Sequence, residues 1–261
     1  MEKRELLDRV AMNEEERLLL GRVWDKYDQC RRRNIPACTE FLSPQEQAAA
    51  ERLLRALGAE DGYILWGGYD GAERRQIHFL PDWETEPDYE AIRCLRCTFY
   101  EQGQLTHRDF LGSLMGLGLT REKIGDILVS DQSADVVVSR SVADHLLREW
   151  TAAGRTALHV AEIDPSELRV PVQKTKILRD TVSSLRLDSV VSIGFSTSRG
   201  KAGEAVESGR VQVNWTDCQK PDRLLRQGDV ITVRGAGKCK LTEVGGATKK
   251  GRIFITVERY L

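Results

Sequence analysis

Ser198, Arg199 and Lys201 carry the most definite chemistry in this sequence of 261 residues. In the run Thr197-Ser198-Arg199-Gly200-Lys201, Ser198 is placed to cap a helix and both cations fall in its first turn. A helix start already presents partial positive charge and exposed N–H groups, so cations there are unfavourable until an anion joins them. The spacing therefore points to a phosphate. Arg210 after the helix, Lys220 in the following loop, and Arg234, Lys238 and Lys240 around Gly235 and Gly237 extend the positive surface. A second group, His107, Arg108, Arg121 and Lys123, sits in or beside two other helix starts. For that group, anion contact and an ordinary solvated surface are equally open.

Other chemistries find less support. Cys94 and Cys97 form a Cys-x-x-Cys, but no second Cys or His pair stands at zinc-site spacing and the segment reads as a strand, so packing is expected. Six cysteines, at 30, 38, 94, 97, 218 and 239, are too sparse for a disulfide framework, and free thiols are expected. The four histidines, at 78, 107, 145 and 159, fall in separate elements without a nucleophile or metal pattern beside them. Trp66-Gly67-Gly68-Tyr69-Asp70-Gly71 enters a hairpin, and no nucleotide-binding βαβ unit follows it. No catalytic residue, metal or cofactor is expected.

The elements that must position these residues can be read along the chain. Helical spacing over residues 4–33 predicts two helices ending in Arg31-Arg32-Arg33. Ser43-Pro44-Gln45-Glu46 is a capping box that starts a third helix, stopped by Gly58. Tyr63–Trp66 and Gln76–Leu80 suggest a hairpin. After Pro81 comes a strand over 92–100, a helix capped by Thr106, a short helix after Thr120, strands at 126–129 and 135–139, a helix over 141–150 and a strand near 158–163. The order βαββαβ predicts a ferredoxin-like (RRM-like) fold, although base-stacking aromatics are missing from its strands except for Phe99 or Tyr100. The class is thus α+β in three small domains: a helical domain with a small sheet (1–82), a ferredoxin-like domain (83–165), a linker (166–180) and a compact α/β domain (181–261). Charge follows the same division. Residues 179–261 hold 15 Lys and Arg against 9 Asp and Glu, a basic module on an acidic body, which fits a polyanionic partner for the former. No apolar run approaches the ~20 residues of a membrane span, the first residues lack a secretory pattern, and a cytoplasmic monomer is expected.

The run SRGKAGEAVESGRVQVN from Ser198 to Asn214, preceded by Arg186-Leu187-Asp188 and followed by Gly228-Asp229-Val230-Ile231, resembles the S4 RNA-binding domain. That resemblance implies contacts to folded RNA by Arg199, Lys201, Arg210 and Asn214, with Arg186 a further candidate beside them, while a turn role for Asn214 and a plain surface charge for Arg210 stay open. Thr106-His107-Arg108-Asp109-Phe110-Leu111-Gly112 with Arg121-Glu122-Lys123-Ile124-Gly125-Asp126-Ile127 is similar to the middle domain of the bacterial YlmH family. This second resemblance implies a non-catalytic protein that recognises ribosomal RNA and tRNA on the large ribosomal subunit during ribosome-associated quality control. The competing readings are an S4-domain enzyme, a pseudouridine synthase or rRNA methyltransferase, and an interaction scaffold in cell division or assembly. Asp188 sits in the Arg-Leu-Asp context of the first enzyme, but inside the S4 resemblance, and is expected to be structural.

Overall fold

The computed structural model describes residues 2–59, 61–100, 105–172 and 174–261. The chain forms two compact units, Met1–Pro171 and Val172–Leu261.

The first unit begins with α1 (Lys3–Val10) and α2 (Glu14–Arg33), the latter capped by Asn13 and ended by Asn34 in the left-handed conformation. Strand β1 (Ala37–Cys38) and α3 (Pro44–Ala56) follow, then β2 (Tyr63–Trp66) and β3 (Gln76–Phe79). The capping box is present: Ser43 Oγ accepts from Glu46 N at 3.3 Å, and Glu46 Oε2 accepts from Ser43 N at 2.6 Å. The strands form an antiparallel sheet in the order β1-β3-β2, on which the helices bury Leu20, Leu53 and Leu54 against Ile77 and Phe79. The hairpin appears as the spacing predicted. Strand β1 was not expected, because two residues carry no periodicity.

Next come β4 (Ile92–Thr98), α4 (His107–Gly116), β5 (Ile124–Val129), β6 (Ser133–Ser139), α5 (Arg140–Glu149), a two-stranded turn of β7 (Ala152–Ala153) and β8 (Thr156–Ala157), and β9 (His159–Ile163). The antiparallel order β5-β6-β4-β9 is that of the ferredoxin-like fold. Alternation along each strand gives this sheet two cores. Leu95, Val136 and Val138 face α4 and α5, whose Phe110, Leu114 and Leu146 are fully buried. The opposite face, with Ile92, Cys94 and Val137, is covered by Phe41, Trp66 and Tyr69 from earlier in the same unit and by Leu168. Beside this core Asp135, 1% exposed, accepts from Arg96 Nε and Nη2 at 2.7 and 2.8 Å and from Arg169 N at 2.8 Å. In an RRM-like domain that face would be open for stacking bases; here much of it is internal. Phe99 is 3% exposed against Phe110, so it supplies no stacking ring, whereas Tyr100 is 93% exposed. Cys94 and Cys97, three residues apart on a strand, fall on opposite faces and join different cores. Burial pushes the Cys94 thiol up to about 12, as expected of a packing residue.

The second unit is one six-stranded antiparallel sheet with two helices on one face. In chain order it has β10 (Thr175–Val182), α6 (Leu187–Gly194), α7 (Arg199–Glu207), β11 (Val211–Val213), β12 (Thr216–Asp217), β13 (Val230–Val233), β14 (Gly237–Ala247) and β15 (Ile253–Tyr260). The sheet order is β10-β15-β14-β13-β11-β12. Strand β10 lies mostly within the segment expected to be a linker. It pairs with β15 from Thr175↔Tyr260 to Val182↔Ile253, so the module begins before residue 181. Its alternation escaped the sequence reading because outward positions are mixed, Ile177 next to Thr175 and Arg179. Leu187, Val190, Ala202 and Val206 pack on Val211, Ile231, Leu241 and Val257. The helix pair reaches the sheet closely at Gly194, where a Cβ would stand 2.8 Å from Cys239 Sγ.

Among the described residues, no helix is long and apolar enough to cross a membrane, and no group of three or more His, Cys, Asp or Glu is placed to hold a metal ion.

Candidate nucleic-acid interface

The site in the second unit is organised by one buried carboxylate. Asp188, in the first turn of α6, is 6% exposed. Its Oδ2 accepts from Arg186 Nη2 at 3.0 Å and from Arg199 Nε at 3.2 Å, and its Oδ1 accepts from Ser189 Oγ at 3.1 Å. Burial pushes this carboxyl up, but the hydrogen bonds from Arg186, Arg199 and Ser189 together outweigh it, and the group lies below its ordinary value. The carboxylate thus fixes two guanidiniums on side chains that remain 35% and 53% exposed. Ser198 Oγ accepts from Lys201 N at 3.3 Å, which caps α7 as expected and sets exposed Arg199 and Lys201 in its first turn. The loop carrying Lys220 lies against the start of α6, because Asp188 N donates to Pro221 O at 3.0 Å and Leu187 N to Arg223 O at 2.9 Å. Arg186 and Arg199 therefore meet at Asp188, and the backbone of the loop carrying Lys220 and Arg223 lies against the start of the same helix.

The other basic residues do not all join it. Arg234 N donates to Arg210 O at 2.8 Å, so these two exposed cations neighbour each other where β11 and β13 meet. Lys238 and Lys240 alternate with Cys239 and Leu241, both fully buried against the helices, so they occupy the opposite face of the sheet. Lys238 lies over the Tyr260 ring, 4.9 Å from its centroid. The single continuous positive surface expected from the sequence is therefore divided, and strand parity is the reason. Asn214 occupies the β11–β12 turn with φ 49°; its Oδ1 accepts from Val230 N at 2.9 Å and its Nδ2 donates to Asp229 Oδ1 at 2.8 Å. This is the turn role, which aims β13.

In the first unit the second group also separates. Arg121 Nη1 donates to Ile124 O at 2.6 Å and Gly125 O at 3.1 Å, and burial, with Arg74 nearby, lowers its guanidinium to about 10. Lys123 pairs with Glu40 and donates to Ser141 Oγ. Both are held by internal contacts around the seam where Arg74 Nη2 donates to Phe41 O and Asp126 accepts from Tyr69, Glu73 and Arg74. Of these four residues, His107 and Arg108 are exposed, at the start of α4. Burial and the neighbouring Arg121 hold His107 below its ordinary value, so it is neutral near pH 7 and adds little to anion attraction. The expectation of a four-residue open patch is corrected accordingly: alternation shows which face a side chain takes, but not which partner already holds it.

Sequence reasoning assigned Asp188 to structure and missed that it orders both arginines. The Arg186–Asp188 spacing was visible, but Arg199 lies eleven positions away and reaches it only through the helix hairpin. Arg223 had no periodic signal at all.

Two family models match the chain, one described as "Putative RNA-binding domain in YlmH" over residues 94–167 and the S4 domain over residues 185–231. The Asp188-centred cluster lies within the second match, and the class is an S4-domain RNA-binding protein. The ribosome-associated protein quality control protein P2 of Bacillus subtilis (strain 168) is 38% identical over 224 residues, covering 85% of this chain and 86% of that one. The chain belongs to the YlmH family. The small ribosomal subunit protein uS4 of Solibacter usitatus is 45% identical over 58 residues, 22% of this chain and 28% of that one. The solved structure of the cell division protein ylmH from Streptococcus pneumoniae, at 19% identity and a TM-score of 0.50, covers 62% of this chain and 98% of that one, a likeness of fold.

Proposed function

We propose that this protein is a non-catalytic, cytoplasmic, monomeric binder of structured ribosomal RNA and tRNA. It acts on the large ribosomal subunit carrying peptidyl-tRNA, in ribosome-associated quality control. The observation that carries the RNA contact is the pair of guanidiniums held by buried Asp188 beside the capped start of α7. Such a fork is already oriented for phosphate oxygens, and two free N–H groups of the helix start lie next to it. The same observation favours a binder over a pseudouridine synthase, because a catalytic aspartate must reach the base, and Asp188 is enclosed and held by Arg186 and Arg199. The quality-control setting is supported by the B. subtilis relative. His107 and Arg108 add a weaker contact from the first unit.

Arg199→Glu with Lys201→Glu tests the site. The double variant should stay folded by circular dichroism and bind structured RNA far more weakly. Its salt slope of log K should be smaller by roughly 0.7–0.9 for each phosphate that the protein no longer neutralises. Unchanged affinity at moderate salt defeats the assignment.

A further inference from the structure

Residues 82–90 read Asp-Trp-Glu-Thr-Glu-Pro-Asp-Tyr-Glu, five carboxylates and two aromatic rings without a cation. The segment is ordered by its own acids. Glu84 Oε1 accepts from Thr85 N and Glu86 N at 2.9 and 3.2 Å, and Asp88 Oδ1 accepts from Glu90 N at 3.0 Å. Trp83 is 61% exposed, with its Nε1 donating to Asn34 O, and Tyr89 is 52% exposed. The far end of the segment opens on a cleft of about 580 Å³ walled by Trp66, Tyr89 and Ile163 and rimmed by Glu90, Glu162 and Asp164. Trp66 and Tyr89 meet edge to face, with centroids 5.5 Å apart and planes at 88°, which leaves ring area open to the cleft. Arg93 lies between Glu90, at 2.8 Å, and Glu162, at 3.2 Å, and Arg140 reaches Glu90 at 3.7 Å, so that with Asp164 the rim keeps one negative charge in surplus.

This surface is wrong for nucleic acid, whose phosphates it repels. Aromatic faces beside carboxylates suit a guanidinium or ammonium group, which gains from the ring quadrupole and from charge-assisted hydrogen bonds together. We propose that residues 82–90 and the adjoining cleft dock an extended, Lys/Arg-rich protein segment, one basic side chain entering between Trp66, Tyr89 and Ile163 and its neighbours running along the acidic stretch. The proposal goes beyond the RNA reading: it gives the acidic unit a protein partner of its own, through chemistry opposite to that of the S4 domain.

The probe is a fluorescently labelled peptide of three Arg-Gly-Lys repeats, titrated into the full-length protein and followed by anisotropy at several salt concentrations. Tyr89→Leu with Glu162→Gln keeps apolar bulk at an exposed position while removing the ring and one rim charge, and should weaken the peptide by about tenfold. Its binding of a structured RNA hairpin should not change. The idea is overturned if this folded variant holds the peptide as well as the native chain does. It is also overturned if Glu84→Gln with Glu86→Gln abolishes binding while Tyr89→Leu alone has no effect, which would leave only diffuse charge attraction. None of these results bears on Arg199 and Lys201, so the RNA reading stands or falls separately.

Discussion

Asp188 lets positioning be separated from charge. Asp188→Asn removes a negative charge beside a proposed phosphate site, so long-range electrostatics alone would tighten RNA binding. If the carboxylate acts by orienting Arg186 and Arg199, the substitution should instead weaken binding, by about fivefold, because two freed guanidiniums must be ordered when the ligand arrives. Stability should fall by only about 1–2 kcal/mol, since both arginines are partly solvated. Filter binding and urea denaturation of the same variant give both numbers, and tighter binding would show that the carboxylate only opposes the ligand. The native interaction also has a sign in pH. Because folding lowers the Asp188 value, its contribution is present above the ordinary carboxylate range and is lost as pH falls through the folded value.

At the scale of elements, α6 meets the sheet at Gly194. A methyl group there would stand 2.8 Å from Cys239 Sγ, within fully buried surroundings. Gly194→Ala should therefore cost about 1–3 kcal/mol in overpacking, and Cys239→Ala in the same chain should restore much of it, a coupling that thermal melts of the single and double variants would reveal. The sequence made many such elements legible because their signals are local: the Ser43 box, the Ser198 cap, the Tyr63–Trp66 hairpin strand and the βαββαβ order all stand in contiguous residues. What stayed hidden depends on distant partners. Lys123 looked like a free cation until Glu40 came beside it, and β10 read as a linker because its pairing strand begins at Ile253. Of the candidate site, the sequence proposed the residues but not their division between two faces, since that follows from which side of the sheet the helices cover.

For the whole molecule, the consequence is where the chain can be divided. A fragment covering 172–261 keeps β10 on β15 and should fold and retain RNA affinity, whereas one starting at 181 loses nearly all of β10 and uncovers the long edge of β15. Circular dichroism and gel filtration of the two fragments would distinguish them, and equal folding would remove β10 from the module. The full-length protein should co-sediment preferentially with large ribosomal subunits that carry peptidyl-tRNA. The 172–261 fragment should lose much of that preference, because it lacks the first unit and the weaker contact proposed there for His107 and Arg108. Equal recovery of the full chain with bare and tRNA-bearing subunits would defeat the ribosomal setting.

The pairing of β10 with β15 also brings Leu261 beside Lys174, whose carbonyl accepts from the Leu261 amide at 2.9 Å. The second unit is consequently a loop closed at its own doorway, entered and left at nearly the same point. Such a module can be lifted into a surface turn of another protein with short joints on either side, as a transplantable grip. A reporter attached after residue 261 would sit beside Lys174 and register any fraying of the β10–β15 pair directly.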